Sequence, residues 1–210
     1  MNQKKVVVFI DFDGTITFKD SFIEFIKFTD GTLKLGVCLL YNTPFILLYF
    51  LKLYPNQKLK ERFFSFFYKG KEEEGLLQKG KQFCELVLQN CCYVTAMEVI
   101  QMHKRKGHDI YILTASSGIW VDLWCKKNEV KLIGTHFEVI NGCYTGKIKG
   151  ENCYGIEKLN RIKHLLENYD LTKSYAYGDT KSDKYYLDII KNSYNYPLNE
   201  LYVNRFNLAE

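Results

Sequence analysis

The stretch Val6-Val7-Val8-Phe9-Ile10-Asp11-Phe12-Asp13-Gly14-Thr15 decides the fold of this 210-residue chain. Its first five residues are apolar and rich in valine, which is the pattern of a strand buried on both faces of a parallel sheet. The strand runs into two acids, Asp11 and Asp13, and then into a glycine turn. Open α/β folds bind ligands at the carboxyl edge of the sheet, so both acids are predicted to lie at a ligand site. Two carboxylates this close repel each other, which favours a divalent cation beside them.

Apolar runs of the same kind recur along the chain and predict the other strands, at residues 109–113, 131–133, 174–177 and, more weakly, 193–196. Helical patterns alternate with them at residues 96–106, 119–128, 155–168 and 181–190. This alternation predicts an α/β protein with a Rossmann-like parallel sheet flanked by helices. Residues 137–148 alternate around Asn141-Gly142 and predict a β-hairpin with a tight turn.

A purely helical segment, residues 18–92, interrupts this alternation after the first strand. We predict that it forms an inserted helical cap domain, while residues 1–17 and 93–210 form the α/β core. The part from Leu35 to Leu51 carries no charge, but a helix of that length reaches only about 26 Å, short of the roughly 30 Å hydrocarbon core of a bilayer. Thr43 as an N-cap with Pro44 at the first helical position predicts two short helices in this part.

Charge and cysteine content narrow the function classes. The formal net charge of +5 suits acidic ligands such as phosphates, although an ordinary solvated surface has the same balance. The sequence has no Arg-rich stripe, zinc-finger spacing or RNA-binding aromatic signature, so nucleic acid is not a predicted partner.

Seven cysteines without a C-x-x-C pair indicate reduced thiols. The first apolar run is too short for a signal peptide, and the protein is expected in the cytoplasm.

A second acidic cluster, Gly178-Asp179-Thr180-Lys181-Ser182-Asp183, follows another predicted strand. Its acids are expected at the same sheet edge as the first pair, where carboxylates could supply oxygen ligands for Mg²⁺. Any one of these acids is equally well explained as a turn former or a helix cap. Four carboxylates at two strand ends favour a metal site.

These motifs resemble those of the haloacid dehalogenase superfamily, in the same order. The first motif matches Asp11-Phe12-Asp13-Gly14-Thr15, the second Thr114, the third Lys158 and the fourth Gly178-Asp179-x-x-x-Asp183. The cap position and the stretch from Gly150 to Lys158 resemble the phosphoserine-phosphatase-like branch, subfamily IB. Thr114-Ala115-Ser116 stands where phosphoserine phosphatases usually have Ser-Gly-Gly, which leaves the substrate open.

The resemblance implies a phosphatase that forms an aspartyl-phosphate intermediate. Asp11 would be the nucleophile and Asp13 the general acid and base. Mg²⁺ would be held by Asp11, the backbone carbonyl of Asp13 and Asp179, while Asp183 would orient metal-bound water. The phosphate oxygens would be bound by the Thr114 hydroxyl, the Ala115 amide and the Lys158 ammonium.

Three functions follow as hypotheses. The first is hydrolysis of a small phosphorylated metabolite such as phosphoserine, whose amine would meet Asp20 and whose carboxylate would meet Arg62, although both residues also fit an ordinary helix surface. The second is hydrolysis of a lipid phosphate of the phosphatidylglycerophosphate type, with Leu35 to Leu51 meeting the inner face of a membrane as a peripheral contact. The third is a catalytically silent module that binds phosphorylated ligands.

Overall fold

Five parallel strands form the central sheet of the computed structural model, which describes residues 4–199. They are β1 Val7–Ile10, β2 Asp109–Ser117, β3 Lys131–Thr135, β6 Tyr175–Gly178 and β7 Asn192–Asn195, and they lie in the order β3-β2-β1-β6-β7. A separate antiparallel pair consists of β4 Phe137–Ile140 and β5 Cys143–Ile148. The predicted α/β fold with a Rossmann-like parallel sheet is therefore confirmed. Residues 1–3 and 200–210 of the predicted core lie outside the described residues.

The helices between residues 4 and 199 are α1 Ser21–Phe50, α2 Asn56–Tyr68, α3 Glu73–Leu86, α4 Val94–Arg105, α5 Gly118–Lys127, α6 Ile156–Leu166 and α7 Lys184–Leu187, with a short 3₁₀ helix at Leu88–Cys91. Helices α4, α5 and α6 agree with the predicted helical patterns. Helix α7 is much shorter than the predicted 181–190, because the segment before it forms a turn in which the Asp183 amide donates to the Thr180 carbonyl. The division into cap and core stays a prediction.

The predicted hairpin at residues 137–148 is confirmed. Strands β4 and β5 pair in antiparallel fashion across Asn141 and Gly142. Both turn residues have positive φ, 52° and 75°, as a type I′ turn requires. The Asn-Gly pair therefore sets the register of this hairpin.

Strand β1 lies at the centre of the sheet because all four of its residues are apolar, and none of them is exposed. It pairs in parallel with β2 on one side and with β6 on the other. The pairing extends past the strand, since the Asp11 amide donates to the Tyr177 carbonyl oxygen at 2.9 Å. The ends of β1 and β6 are thereby held side by side, so the residues that follow them share one edge of the sheet.

Helix α1 shows that the prediction of two short helices joined at Thr43 and Pro44 is wrong. The helix continues through Pro44 to Phe50, and the Thr43 hydroxyl donates to the Leu39 carbonyl one turn earlier instead of capping a new helix. The interruption lies at Gly31, whose φ of 84° and ψ of 163° are not helical. Pro44 has no amide to donate to the carbonyl one turn earlier and its ring crowds that carbonyl, yet the helix continues through it. Gly31 interrupts the helix because glycine adopts a positive φ without steric cost.

Aromatic side chains join α1 and α3 to α5. The Phe25 ring stacks on Trp120 with centroids 5.2 Å apart and meets Phe83 edge-on at 5.4 Å. Phe22 stacks on the same indole at 5.1 Å. Such pairs contribute about 0.5–1.5 kcal/mol each beyond the burial of their surface. The helices inserted after β1 and the helix that follows β2 therefore share one hydrophobic cluster.

The close approach of α3 to α5 depends on Gly80, and we expect Gly80→Ala to destabilise the protein. A Cβ atom at Gly80 would lie 1.7 Å from the carbonyl oxygen of Ile119, so the two helices would have to separate. The free energy of unfolding should fall by about 2 kcal/mol or more, as measured by urea denaturation. Gly75→Ala is the matched control in the same helix, because its Cβ would meet nothing within 4 Å, and it should stabilise the protein by roughly 0.5–1 kcal/mol. Equal effects of the two substitutions would contradict this account.

Candidate active site

Three carboxylates meet at the sheet edge where β1 and β6 end. Asp11 follows β1, Asp179 follows β6, and Asp183 precedes α7. One oxygen atom from each lies within 4.8 Å of the other two. Asp11 and Asp183 are buried. The sheet thus brings together the acids of the two sequence motifs that lie 165 residues or more apart in the chain.

Lys158 places a positive charge among these acids. It lies in the first turn of α6, and its Nζ is 2.6 Å from Oδ1 of Asp11 and 2.5 Å from Oδ1 of Asp183. Burial tends to lower the pKa of Lys158, but the two carboxylates outweigh it and raise this pKa above its usual range. The other Asp183 oxygen accepts hydrogen bonds from the amide and hydroxyl of Thr180 at 3.1 and 2.8 Å. Protein donors therefore engage both oxygens of Asp183.

Gly14 allows the backbone to pass directly against Asp179. Its φ is 89°, and a Cβ atom there would lie 2.3 Å from Oδ2 of Asp179. The next residue, Thr15, donates its hydroxyl to Oδ1 of the same carboxylate at 3.0 Å. A larger residue at position 14 would displace this acid, and the close approach explains the glycine.

The donor set of this cluster fits a hard divalent cation. With all three carboxylates ionised, they and the single ammonium would sum to a charge of −2 in a mostly buried site, which a divalent cation would neutralise. Carboxylate oxygens are the protein ligands that Mg²⁺ prefers, and oxygens on opposite sides of that ion lie about 4 Å apart. One carboxylate oxygen from each of the three acids lies within 4.8 Å of the other two, so small side-chain movements would bring them to the distances that the ion requires.

Asp13 lies in a different environment, at the end of a chain of hydrogen bonds that runs through two serines to a tryptophan. The Ser116 hydroxyl donates to Oδ2 of Asp13 at 2.5 Å, and the Ser21 amide donates to Oδ1 at 2.7 Å. The Ser21 hydroxyl lies 3.0 Å from Ser116 Oγ and accepts from the Trp120 indole at 3.0 Å. Because the Ser116 proton points to Asp13, Ser21 is the donor between the two serines. The sequence motifs gave no role to either serine, although each directly follows a predicted site residue.

Burial gives the two acids of the first motif different pKa values. It raises the pKa of Asp11 to about 8, while the Lys158 ammonium opposes this rise and the Asp183 charge adds to it. It raises the pKa of Asp13 to about 6, with repulsion from Asp20 adding and the hydrogen bond from Ser116 opposing. A carboxyl group that titrates near 6 can exchange a proton close to neutral pH.

A cavity of about 300 Å³ lies over both acids. Five of its polar lining residues are predicted site residues: Asp11, Asp13, Asp20, Thr114 and Lys158. Ala115 also lines it, and the Thr114 hydroxyl accepts a hydrogen bond from the Ser116 amide at 2.9 Å. Apolar lining is contributed by Phe22, Leu59 and Phe63. The cavity suits a small molecule with one polar end.

Of the two predicted substrate contacts, only Asp20 lines this cavity. One of its carboxylate oxygens accepts the Ile23 amide at 2.9 Å and caps α1. Arg62 is not among the lining residues. Its Nε donates to the Asn42 side chain at 2.9 Å, and its guanidinium carbon lies 3.5 Å from the centre of the Phe45 ring.

Lys60 lines the cavity instead, a residue to which the sequence analysis assigned no substrate contact. Its Nζ donates to the Ala115 carbonyl oxygen at 2.5 Å. Burial lowers the pKa of Lys60, while the nearby Asp20 and Asp13 oppose this. The helical phase carried the signal, because Lys60 lies three and four residues before the buried Phe63 and Phe64 and therefore on the same helix face.

Comparison with known proteins agrees with this geometry. A model of the haloacid dehalogenase-like hydrolases matches residues 8–188. Protein CicA from Caulobacter vibrioides is 31% identical over 185 residues, which cover 87% of this chain and 82% of that protein.

Solved structures resemble most of the chain. A protein of unknown function from Bordetella pertussis Tohama I has a TM-score of 0.76 at 21% identity, over 91% of this chain and 89% of that chain. A phosphoserine phosphatase with a phospho-aspartyl intermediate analogue has a TM-score of 0.68 at 16% identity, over 97% and 91%. At these identities the likeness supports the fold. Since the family model spans most of the chain and its motif residues meet at one cavity, this protein belongs to the haloacid dehalogenase-like hydrolases, as its motifs predicted.

Proposed function

We propose that this protein is a Mg²⁺-dependent phosphomonoester phosphatase that acts on a small phosphorylated metabolite of the phosphoserine kind. The observation that carries the proposal is the contrast between two acids two residues apart. Asp11 is paired with Lys158 inside the carboxylate cluster, whereas Asp13 is held by Ser116 outside it, and both line one cavity. This contrast suits a nucleophile and a proton carrier that act on the same substrate.

In the first step, an Asp11 oxygen would attack the phosphorus atom while the bond from phosphorus to the leaving oxygen breaks. Asp13 would give its proton to that leaving oxygen, which departs as an alcohol. In the second step, Asp13 would take a proton from water as the water oxygen bonds to phosphorus and the Asp11 carboxylate is released. The Ser116 and Ser21 hydrogen bonds keep the Asp13 carboxyl group oriented in both steps.

The remaining site residues would hold the phosphoryl group and the cation. Mg²⁺, bound by Asp11, Asp179 and the Asp13 carbonyl, would reduce the repulsion between carboxylate and phosphate. Asp183, whose oxygens accept from Lys158 and Thr180, would fix the lysine and orient metal-bound water. Phosphate oxygens would be bound by the Thr114 hydroxyl, the Ala115 amide and the Lys158 ammonium.

The metabolite is favoured by the cavity volume and by the phosphoserine phosphatases among the structural neighbours. In this proposal, the second carboxylate oxygen of Asp20 would meet the substrate amine, and Lys60, rather than Arg62, would meet its carboxylate. A lipid phosphate is the second candidate, because Phe22, Leu59 and Phe63 give the cavity an apolar wall. That candidate would act in the cytoplasm at the inner face of a membrane, with Leu35 to Leu51 as the peripheral contact.

The two candidates and the silent module are separated by one assay series. The purified protein is incubated with phosphoserine, a panel of sugar phosphates and phosphatidylglycerophosphate in micelles, each with Mg²⁺ and after removal of metal by EDTA. The proposal expects the highest kcat/KM for phosphoserine or a similar metabolite, loss of activity in EDTA and recovery with Mg²⁺. A preference for the lipid would replace the first candidate with the second. Absence of any turnover across the panel would support the silent module.

Lys60→Met should weaken substrate binding more than it slows the reaction. If the Lys60 ammonium meets the substrate carboxylate, its loss raises KM for phosphoserine about tenfold or more, the usual value of a hydrogen bond to a charged group. The value of kcat should change only a few-fold. Steady-state kinetics measure both, and Lys58→Met is the matched control, because Lys58 lies two residues earlier in α2 on the exposed surface. An unchanged KM in the Lys60 variant would remove this residue from the substrate site.

A further inference from the structure

The outward face of α1 is apolar along its second half. Six exposed residues at spacings of three and four form what we call the outer stripe: Leu33, Val37, Leu40, Pro44, Leu47 and Leu51. Leu40 is 78% exposed and Leu47 58%. These spacings keep all six on one side of a helix, over a length of about 27 Å.

The opposite face of this helix is already packed against the protein. Leu35, Cys38 and Asn42 are buried, and Asn42 accepts a hydrogen bond from Arg62 of α2. By length and composition, α1 could cross a membrane, with a mean hydropathy of 1.5, but core helices of soluble proteins pass the same test. A core helix would be mostly buried, whereas only 17% of the most apolar 18-residue stretch of α1 is buried. With one face packed and one exposed, α1 lies along the surface of the protein.

More exposed apolar side chains border the outer stripe and widen it into a patch: Leu39, Tyr41, Leu48, Phe50 and Leu53. Single exposed leucines need no explanation, but contiguous apolar patches on a protein surface mark sites of interaction. The hydrophobic effect therefore favours a partner that covers this face.

The charges around the patch indicate which partner fits. Residues 31–60 contain four lysines and no acidic residue. Lys52 directly follows the last residue of the outer stripe, and near its start Lys34 and Lys71 share the single carboxylate of Asp30, which leaves a net positive charge there. In a symmetric pair of copies, the same lysines would face each other across the contact and repel. An anionic lipid surface accepts apolar side chains into its acyl region and attracts lysines at its headgroups.

We propose that the outer stripe docks this protein on an anionic lipid bilayer, with α1 lying in the plane of the membrane surface. This docking does not rest on the proposed phosphatase activity and would hold for either candidate substrate. Its chemistry is the insertion of Leu40, Leu47 and their neighbours between lipid headgroups, assisted by Lys52 and by the net positive charge around Lys34 and Lys71.

Vesicle co-flotation of the full chain tests the docking. The protein is mixed with vesicles of phosphatidylcholine alone or of phosphatidylcholine with phosphatidylglycerol, and we expect strong binding only to the second kind. The double variant Leu40→Glu/Leu47→Glu should weaken partitioning to anionic vesicles by at least about tenfold, because two leucines no longer enter the apolar region. Leu86→Glu is the control, an equally exposed leucine on α3, and it should bind as the original protein does.

Three results would overturn the proposal. They are failure of the original protein to bind anionic vesicles, equal binding by the double variant, and a dimer in light scattering that the double variant converts to a monomer without vesicle binding by either protein. Circular dichroism of the double variant checks that it is folded, which is expected since both substituted side chains are exposed.

Discussion

Asp11→Asn is expected to lower kcat/KM for the best phosphomonoester substrate by about 10⁴-fold or more, the scale seen when an enzyme loses its nucleophile. The amide nitrogen and oxygen of asparagine occupy nearly the same space as the carboxylate, but they cannot form the bond to phosphorus that the proposed first step requires. Single-turnover kinetics with saturating enzyme would show whether the chemical step itself is lost. Asp188→Asn, at an exposed acid after α7, should leave kcat/KM unchanged.

This loss is separable from unfolding. Asp11 is a buried acid whose ionisation is opposed by burial, so a neutral side chain there should cost little stability, and Lys158 keeps its partner Asp183. The unfolding midpoint in urea should therefore stay close to that of the original protein. If Asp11→Asn retained full activity in a correctly folded protein, the proposed nucleophile would be wrong.

Lys158→Met should have the largest effect on stability and a large effect on activity as well. The ammonium is the positive partner of Asp11 and Asp183 at 2.6 and 2.5 Å, and the three side chains are almost fully buried. Removing one partner from a buried ion pair leaves uncompensated charge, which costs about 3–5 kcal/mol. The rate should also fall by at least about 10²-fold, because a donor to the transferring phosphoryl group is lost.

Urea denaturation and initial rates measure the two effects, with Lys163→Met on the exposed face of α6 as the control. The control should change the free energy of unfolding by less than about 0.5 kcal/mol. Added Mg²⁺ should recover part of the stability of Lys158→Met, since a ligand that binds only the folded state stabilises it. A variant as stable as the control would mean that the carboxylate cluster does not need this cation.

The sequence was sufficient to predict the features of the site that lie at strand ends. A strand buried on both faces must carry a continuous apolar run, so β1 and the acids that follow it could be recognised without coordinates. The same reasoning located Asp179. The structure adds the steric reason for glycine at position 14, because Gly14 passes directly against the Asp179 carboxylate. Thr114 and Lys158 were found through the family resemblance, and both line the cavity with Asp11.

Features that depend on how helices turn and pack could not be predicted in the same way. Proline at position 44 indicated a helix start, but tertiary packing carries α1 through it, and Gly31 interrupts the helix instead. The choice between Lys60 and Arg62 as the cavity residue depends on the phase of α2 against β2, which sequence spacing alone does not fix. The role of Ser21 likewise depends on two distant elements meeting at Asp13.

The position of β1 between β2 and β6 also has a consequence for how the chain folds during synthesis. Val8 pairs with Tyr175, so one side of the most apolar strand has no partner until most of the chain has been made. At the usual speed of translation, this delay is on the order of 10 s. During that time, an unpaired apolar edge is open to aggregation, and helices α1 to α3, which are synthesised before either partner strand, are the elements available to shield it.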